Sequence, residues 1–420
     1  MELREVDVAV VGAGPAGMAA AINARESGAE NVVILERAEQ PGGLLQQCIH
    51  NGFGLFYFGE DLTGPEYRQR FTDKLEASGV KLLLNTMVLG VSADREIKAV
   101  NGEYGYFSFK PKSIVLAMGC RERSRGALNI PGTRPAGVLT AGTAQRMVNV
   151  EGYNPGKKIV ILGTGDIGMI MARRLALEGA EIEAVVEMLP YVGGLIRNEV
   201  QCLHDFHIPV LLQHTVTGIH GEERVEAVTV SGIDENSEPV AGTERKIECD
   251  TLLLSVGLIP ENELSSMAGI ELDPLTGGSV VNESRETSIP GIFAAGNVLH
   301  VHDLVDNVSW ESEMAGIKAA RFALEGKVPE GNIKLRAGKN LRYVIPQTVS
   351  GEEDTTVYLR VNEPARNVKI KVGELKATGT RLGVKPSSME TVTIPASELK
   401  KIKGETGEIV VDCVEKEALF

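Results

Sequence analysis

Two stretches carry the residues best fitted to chemistry. Gly12-Ala13-Gly14-Pro15-Ala16-Gly17 and Gly163-Thr164-Gly165-Asp166-Ile167-Gly168 both read G-x-G-x-x-G. An acid follows each at the same interval: Glu36 lies 24 residues after Gly12, and Glu187 lies 24 residues after Gly163. These types at this spacing cradle a dinucleotide. The first glycine permits a tight turn, the second lets backbone approach a pyrophosphate, and the third lets a helix pack close on a strand. The helix N-terminus presents free N–H groups and the positive end of its dipole to the phosphates. The acid accepts hydrogen bonds from a ribose 2′-hydroxyl. A carboxylate at Glu187 also repels a 2′-phosphate, and no Lys or Arg lies between Glu187 and Ile196. The second stretch therefore reads as a site for NADH over NADPH, with Arg197 the nearest cation to count against it.

These residues need a strand, a turn and a helix to hold them. The valine-rich run from Asp7 to Val11 reads as a buried parallel strand, Met18 to Arg25 as a helix, and Val32 to Leu35 as a second strand. The pattern returns with strand Lys158 to Leu162, helix Met169 to Glu178 and strand Ile182 to Val186. Recurrence of a whole βαβ unit is far more specific than one glycine motif. It implies two bound dinucleotides, or a duplicated domain in which one copy still binds.

Between the copies, Gln40 to Leu45 reads as a turn and Cys48 to Gly54 as a glycine-rich loop placed to lie along an extended dinucleotide. Tyr67, Phe71 and Leu75 give Pro65 to Ser78 one apolar helical face. Strands are expected at Lys81 to Leu84, Thr86 to Val91, Tyr104 to Phe109 and Ser113 to Ala117. Arg121 to Pro135 holds Arg121, Arg123, Arg125 and Arg134; it reads as a solvated linker or as a hinge with charges near a phosphate. Thr251 to Val256 is a further strand, and Asn307 to Leu324 a long helix. Past Gly326, alternating runs at Leu341 to Val344, Thr356 to Val361, Val368 to Val372 and Ile409 to Cys413 predict a separate all-β domain.

The bulk numbers bound the function. A chain of 420 residues holds two or three domains. A net charge of −14 argues against nucleic acid or an anionic membrane surface as partner. The five cysteines, Cys48, Cys120, Cys202, Cys249 and Cys413, include no C-x-x-C pair, so neither a zinc site nor a local redox pair is read. No uncharged apolar run reaches the length of a membrane span, and too few residues precede the first strand for a signal peptide. The expectation is a cytoplasmic protein.

The order of fingerprint with Glu36, Ala117-Met118-Gly119, fingerprint with Glu187, Val256-Gly257 and Phe293-Ala294-Ala295-Gly296-Asn297 resembles the pyridine nucleotide–disulphide oxidoreductases, over residues 1 to about 325. The resemblance implies an α/β fold of two Rossmann-like dinucleotide-binding domains, with the NAD domain inserted in a split FAD domain, and a small C-terminal all-β domain follows. Boundaries are expected at 1–120 and 250–328 for FAD, 121–249 for NAD(H), and 335–420 for the β domain. It places FAD on Gly12, Gly14, Pro15, Ala16, Gly17, Glu36, Arg37, Gly43, Leu44, Asn51, Val88, Ala117, Met118, Gly119, Gly296, Asn297, Val308 and Ser309. It places NAD on Gly163, Gly165, Asp166, Ile167, Gly168, Glu187 and Gly257. The helix from Asn307 is expected to point its positive end at the flavin.

The layout looks most like thioredoxin reductase, with two departures. The stretch matching that group's C-x-x-C is Thr140-Ala141-Gly142-Thr143, and Asn297 stands where the wider family has aspartate. Cys48-Ile49-His50-Asn51-Gly52-Phe53, Met118-Gly119-Cys120-Arg121-Glu122-Arg123 and Gly296-Asn297-Val298-Leu299-His300-Val301-His302-Asp303 resemble a narrower group. It comprises NAD(P)/FAD-dependent oxidoreductases that accompany anaerobic-type glycerol-3-phosphate dehydrogenases. That resemblance implies an electron-transfer subunit with a partner dehydrogenase and a small iron–sulphur protein. The alternatives are a stand-alone NADH oxidase or NADH:small-acceptor reductase, and a nucleotide-binding scaffold without turnover. No catalytic side chain is required; Cys48 is the one single-thiol candidate. His300 and His302, with Asp303, fit a metal, a flavin-pocket lining or a loop cap, and no metal is assigned. The β domain reads as a partner-docking module, a cover on the flavoprotein or a surface for a homodimer or other homo-oligomer, and deletion after Lys334 is expected to release the partners and leave the flavin bound.

Overall fold

The computed structural model describes residues 5–376, 378–401 and 407–416. It divides into two compact units, one of residues 1–120 and 260–420 and one of residues 121–259.

The first unit is built on a five-stranded parallel sheet in the order Ile292–Ala294, Ser113–Leu116, Val8–Val11, Val32–Leu35, Lys81–Leu83. Every residue of Val8–Val11 and Val32–Leu35 is buried, as near-continuous valine and isoleucine runs require when both faces are covered. One face carries helix Pro15–Glu26 and the long helix Val305–Glu325. These two approach so closely that a Cβ at Gly316 would stand 2.1 Å from the Ala20 carbonyl oxygen. Helix Gly64–Ser78 starts on a Thr63/Glu66 capping box and buries Tyr67, Phe71 and Leu75, the face its spacing predicts. The other face is covered by the antiparallel sheet Thr86–Val91, Ile97–Asn101, Gly105–Phe109.

The second unit repeats the plan. Its parallel sheet runs Val138–Thr140, Thr251–Leu254, Lys158–Leu162, Glu181–Glu187, Val210–Leu212, followed by an antiparallel sheet of His214–His220, Ala227–Gly232 and Arg245–Glu248. The boundary expected at 249/250 falls inside this unit. Strand Thr251–Leu254 pairs between Val138–Thr140 and Lys158–Leu162, so its hydrogen bonds hold it here. The arginine-bearing connector is part of the same unit. Arg125 donates to the Ile130 and Gly132 carbonyls at 3.2 Å, which folds the connector on itself.

The C-terminal β region has its own core between a five-stranded sheet, containing Ala365–Val372 and Glu408–Glu415, and a three-stranded sheet of Leu341–Ile345, Thr355–Val361 and Glu390–Ile394. It belongs to the first unit. Tyr343 and Ile345 leave the sheet core and pack with Ile292, Val298 and Leu299. The tail therefore does not stand apart as its pattern predicts. Its second sheet covers the segment that follows strand Ile292–Ala294.

Candidate dinucleotide sites

In the first unit the fingerprint lies between strand Val8–Val11 and helix Pro15–Glu26. Gly12 has φ +102°, and a Cβ there would stand 2.6 Å from the Ala117 carbonyl oxygen. A Cβ on Gly17 would stand 1.8 Å from the Gly12 carbonyl oxygen, so helix and strand meet only if residue 17 lacks a side chain. The helix begins at Gly14 without a side-chain cap, and its first turn holds no acid. Added Cβ atoms at Gly14 and Gly119 would meet nothing within 4 Å. An uncapped helix end facing open space is the geometry an anionic pyrophosphate fits. Glu36 folds back over the turn, accepting from Ala13 N at 2.7 Å and Ala38 N at 2.8 Å.

Other predicted residues converge on this turn. Gly43 approaches Gly14, with 3.2 Å from an added Cβ to the Gly14 Cα. Gly296, with φ +75°, is wedged against Ala16 and Val308. Arg37, Leu44 and Asn51 are exposed, and Asn51 donates to the Asp61 carbonyl. The Val88 side chain is buried in the sheet-face core. Ser309 is buried with its hydroxyl 2.7 Å from that of Tyr67, so the side chain joins the helix packing. Asn297 is held at both ends of its amide: its oxygen accepts from His302 N at 3.0 Å and its nitrogen faces Cys120 Sγ at 3.6 Å.

The second fingerprint reproduces the first almost bond for bond. Gly163 has φ +98° and would clash with the Ser255 carbonyl oxygen at 2.2 Å if it bore a Cβ. Glu187 accepts from Thr164 N and from Leu189 N, both at 2.9 Å, as Glu36 does from Ala13 and Ala38. Three differences follow from its sequence. Thr164, in place of Ala13, adds a hydroxyl that donates to Glu187 and accepts from Gly193 N at 2.7 Å. The Gly168 N–H is already taken by Ser255 Oγ at 3.0 Å. Asp166 accepts from Leu195 N and Asn198 Nδ2, so its carboxylate anchors the 194–198 turn. Ile167 packs toward the helix core. Gly257, φ +96°, accepts from the Arg123 N–H at 3.1 Å.

Three expectations are corrected. At half-buried Cys48, burial pushes the thiol up to about 12, which works against the thiolate a single-thiol role needs. The long helix begins at Val305, two residues before the expected start, which brings Asp306 into its first turn. That carboxylate accepts from Gly54 N and Phe56 N, both at 3.0 Å, so it offsets the positive helix end and pins the 54–56 loop. Finally, His300 and His302 are not grouped with Asp303. Both rings bond Glu311, which no spacing motif announces, while Asp303 pairs with Arg360. His300, His302 and Glu311 are the one metal-type donor group among the described residues.

In place of the family's cysteine pair, Thr140 caps helix Ala141–Asn149, and its Oγ1 lies 2.8 Å from that of Thr143. Cys202 and Cys249 are buried, with thiols raised to about 11 and about 12 by that burial, and Cys413 is raised likewise. No described helix is long and apolar enough to cross a membrane.

The comparisons with known proteins agree with this geometry. The model of the pyridine nucleotide-disulphide oxidoreductase family matches residues 6–323. The HcnB component of hydrogen cyanide synthase from Pseudomonas protegens, itself a subunit, is 26% identical over 78% of this chain and 70% of its own length. An opine oxidase subunit from Agrobacterium tumefaciens is 27% identical over 71% of this chain, which spans 64% of that relative. An NADH oxidase from Methanocaldococcus jannaschii is 28% identical over 79% of this chain and 70% of its own length. Among solved structures, thioredoxin reductase of T. acidophilum superposes with a TM-score of 0.63 at 25% identity, covering 76% of this chain and 99% of its own.

Proposed function

Since the chain belongs to the pyridine nucleotide-disulphide oxidoreductase family and is an FAD-dependent NAD(P)H oxidoreductase, we propose that it exchanges electrons with NADH and passes them to or from a partner dehydrogenase through an iron–sulphur protein, within a glycerol-3-phosphate dehydrogenase-type complex. Bound FAD supplies a two-electron acceptor that can also release electrons singly. The protein's own part is to hold and align the two dinucleotides. Gly12 to Gly17 and Glu36 hold the FAD pyrophosphate and ribose, and Gly163 to Gly168 with Glu187 hold NADH. A carboxylate at Glu187 favours the unphosphorylated ribose.

The observation that carries the partner reading is the Thr140–Thr143 pair. Two hydrogen-bonded hydroxyls stand where a thiol relay would carry electrons onward, and four of the five cysteines have thiols raised by burial. A surface for a partner is also available. No Asp, Glu, Lys or Arg occurs from Gln40 to Gly59, and Ile49 and Phe56 are exposed within that stretch. Trp310 lies beside it, 6.0 Å from Tyr57. Two relatives are subunits by name, which supports the same reading. The NADH oxidase relative favours the second reading, a stand-alone enzyme that passes electrons to oxygen or a small acceptor.

Purification from the native source separates the two. We expect the protein with a second flavoprotein and an iron–sulphur chain, and a Phe56→Asp variant recovered without them but with its FAD. A protein that emerges alone, and turns over NADH with a soluble acceptor as fast as any complex does, defeats the partner reading.

A further inference from the structure

We propose that Glu311 is the positioning residue of the flavin-binding turn, and that strand Thr355–Val361 of the C-terminal sheet acts on the flavin through it. The inference rests on FAD being this family's cofactor and needs no partner protein.

Glu311 lies on the long helix with its side chain fully buried. Four donors converge on its two oxygens, three from the segment 296–302 and one from Arg285. Oε1 accepts from Arg285 Nε at 3.1 Å and His300 Nε2 at 3.0 Å. Oε2 accepts from the Gly296 N–H and from His302 Nε2, both at 3.0 Å. A buried carboxylate is retained only when paired and fully hydrogen-bonded, and here each oxygen has two donors. Burial alone would raise this carboxyl, but the two imidazoles and their hydrogen bonds hold it well below the usual range. Burial also pushes His300 down to about 4, so that ring is a neutral donor at pH 7. The formal countercharge is Arg285.

Two of these bonds fix the turn. Gly296 is bonded directly, and it is already wedged between Ala16 and Val308. His302 reaches Glu311 with its ring and Asn297 Oδ1 with its backbone N–H, so Glu311 also sets which way the Asn297 amide faces. Behind the cluster stands the C-terminal sheet. The Arg285 guanidinium lies over the Tyr358 ring at 5.5 Å and donates to the Thr356 carbonyl at 3.4 Å. Arg360, two residues on and therefore on the same face, pairs with Asp303 and donates to the Val301 carbonyl at 2.9 Å. One strand thus grips both the charge partner of Glu311 and the chain that leaves the flavin turn.

The same side chains have metal-ligand chemistry, but the Arg285 guanidinium and the Gly296 N–H fill the acceptor sites a cation would need.

The test is Glu311→Gln in the full chain. An amide cannot accept on both ends, so at least one donor loses its partner. We expect a folded protein whose FAD dissociation constant rises tenfold or more, and whose flavin potential shifts upward because Arg285 stays charged. Tyr358→Leu, which touches no flavin residue, should move both quantities in the same direction by less. Glu286→Gln, which removes a carboxylate hydrogen-bonded to Gly291 away from the turn, should lower melting temperature without moving either. Unchanged affinity and potential in Glu311→Gln overturn the proposal. So does loss of melting temperature alone, or one equivalent of bound zinc or iron in the wild-type protein.

Discussion

At the scale of single residues, Glu36 and Glu187 each carry two duties. Each closes its own fingerprint turn through two backbone N–H groups, and each keeps acceptor capacity for a ribose hydroxyl. Glu187→Arg therefore changes recognition and stability together. The preference in kcat/KM for NADH over NADPH should fall by about tenfold or more, read from anaerobic reduction of the flavin band. Three lost charge-assisted bonds, from Thr164 N, Thr164 Oγ1 and Leu189 N, should cost at least about 1–3 kcal/mol of stability, read from thermal melting. Equal rates with both nucleotides in the wild type would defeat the ribose argument. A second prediction concerns acid. The His300 imidazole, buried among Glu311, His302, Arg285, Tyr343 and Tyr358, has its value pushed down from 6.5 to about 4. Between those values the unfolded chain binds the proton and the folded one does not, so stability falls as pH drops through that window. The loss reaches about 3 kcal/mol at pH 4. Melting curves from pH 7 to 4 should show it, and His300→Gln should flatten it. The fingerprint acids are legible in the sequence because a fixed spacing announces them. Glu311 and Arg285 are not: on a long helix and in a loop, charged residues look like solvated surface. Only the tertiary fold reveals that both are buried.

At the scale of elements, legibility follows hydrophobic pattern. The valine-rich strands and the Tyr67/Phe71/Leu75 helix are readable because burial on both faces or on one stripe leaves a direct record. Strand Thr251–Leu254 is legible as a strand, but the expected boundary puts it in the wrong unit, since its apolar run fits either sheet and only pairing decides. The long helix shows the weakness at termini. Its N-cap residue, Leu304, makes no side-chain cap, so nothing in the sequence marks the start. The shift of two residues matters because it places Asp306 against the helix's positive end. The same carboxylate is engaged by Gly54 and Phe56, so helix and loop are one electrostatic assembly. The Thr140–Thr143 pair is the opposite case. Thr140 is a good N-cap on ordinary grounds, and its hydroxyl accepts the Thr143 N–H. The element therefore survives without sulfur while losing the redox function of a cysteine pair.

At the scale of the whole molecule, the two units are duplicates, with one difference that sets the role of the tail. The edge strand is Val138–Thr140 in one unit, ahead of its fingerprint, and Ile292–Ala294 in the other, long after its fingerprint. In the first unit the chain runs on from that strand into the Gly296–Asn297 turn, the histidine segment, the long helix and the C-terminal sheets. A solved thioredoxin reductase accounts for nearly its full length with 76% of this chain, so that architecture stands without such a tail. Here the tail is bonded into the site's support. Removing everything after Lys334 strips Arg360 from Asp303, Tyr358 from Arg285 and Ser350 from buried Glu283. It also uncovers the apolar surface that Tyr343 and Ile345 share with Val298 and Leu299. Each uncovered large apolar side chain costs about 1.5–3 kcal/mol, and Asp303 and Glu283 lose the partners that hold their segments in place. A domain has only about 5–15 kcal/mol in total. The chain cut after Lys334 should therefore be insoluble or free of flavin, measured as FAD per protein after gel filtration. The reading of the tail as a detachable docking module requires the reverse, a soluble protein with one FAD per chain.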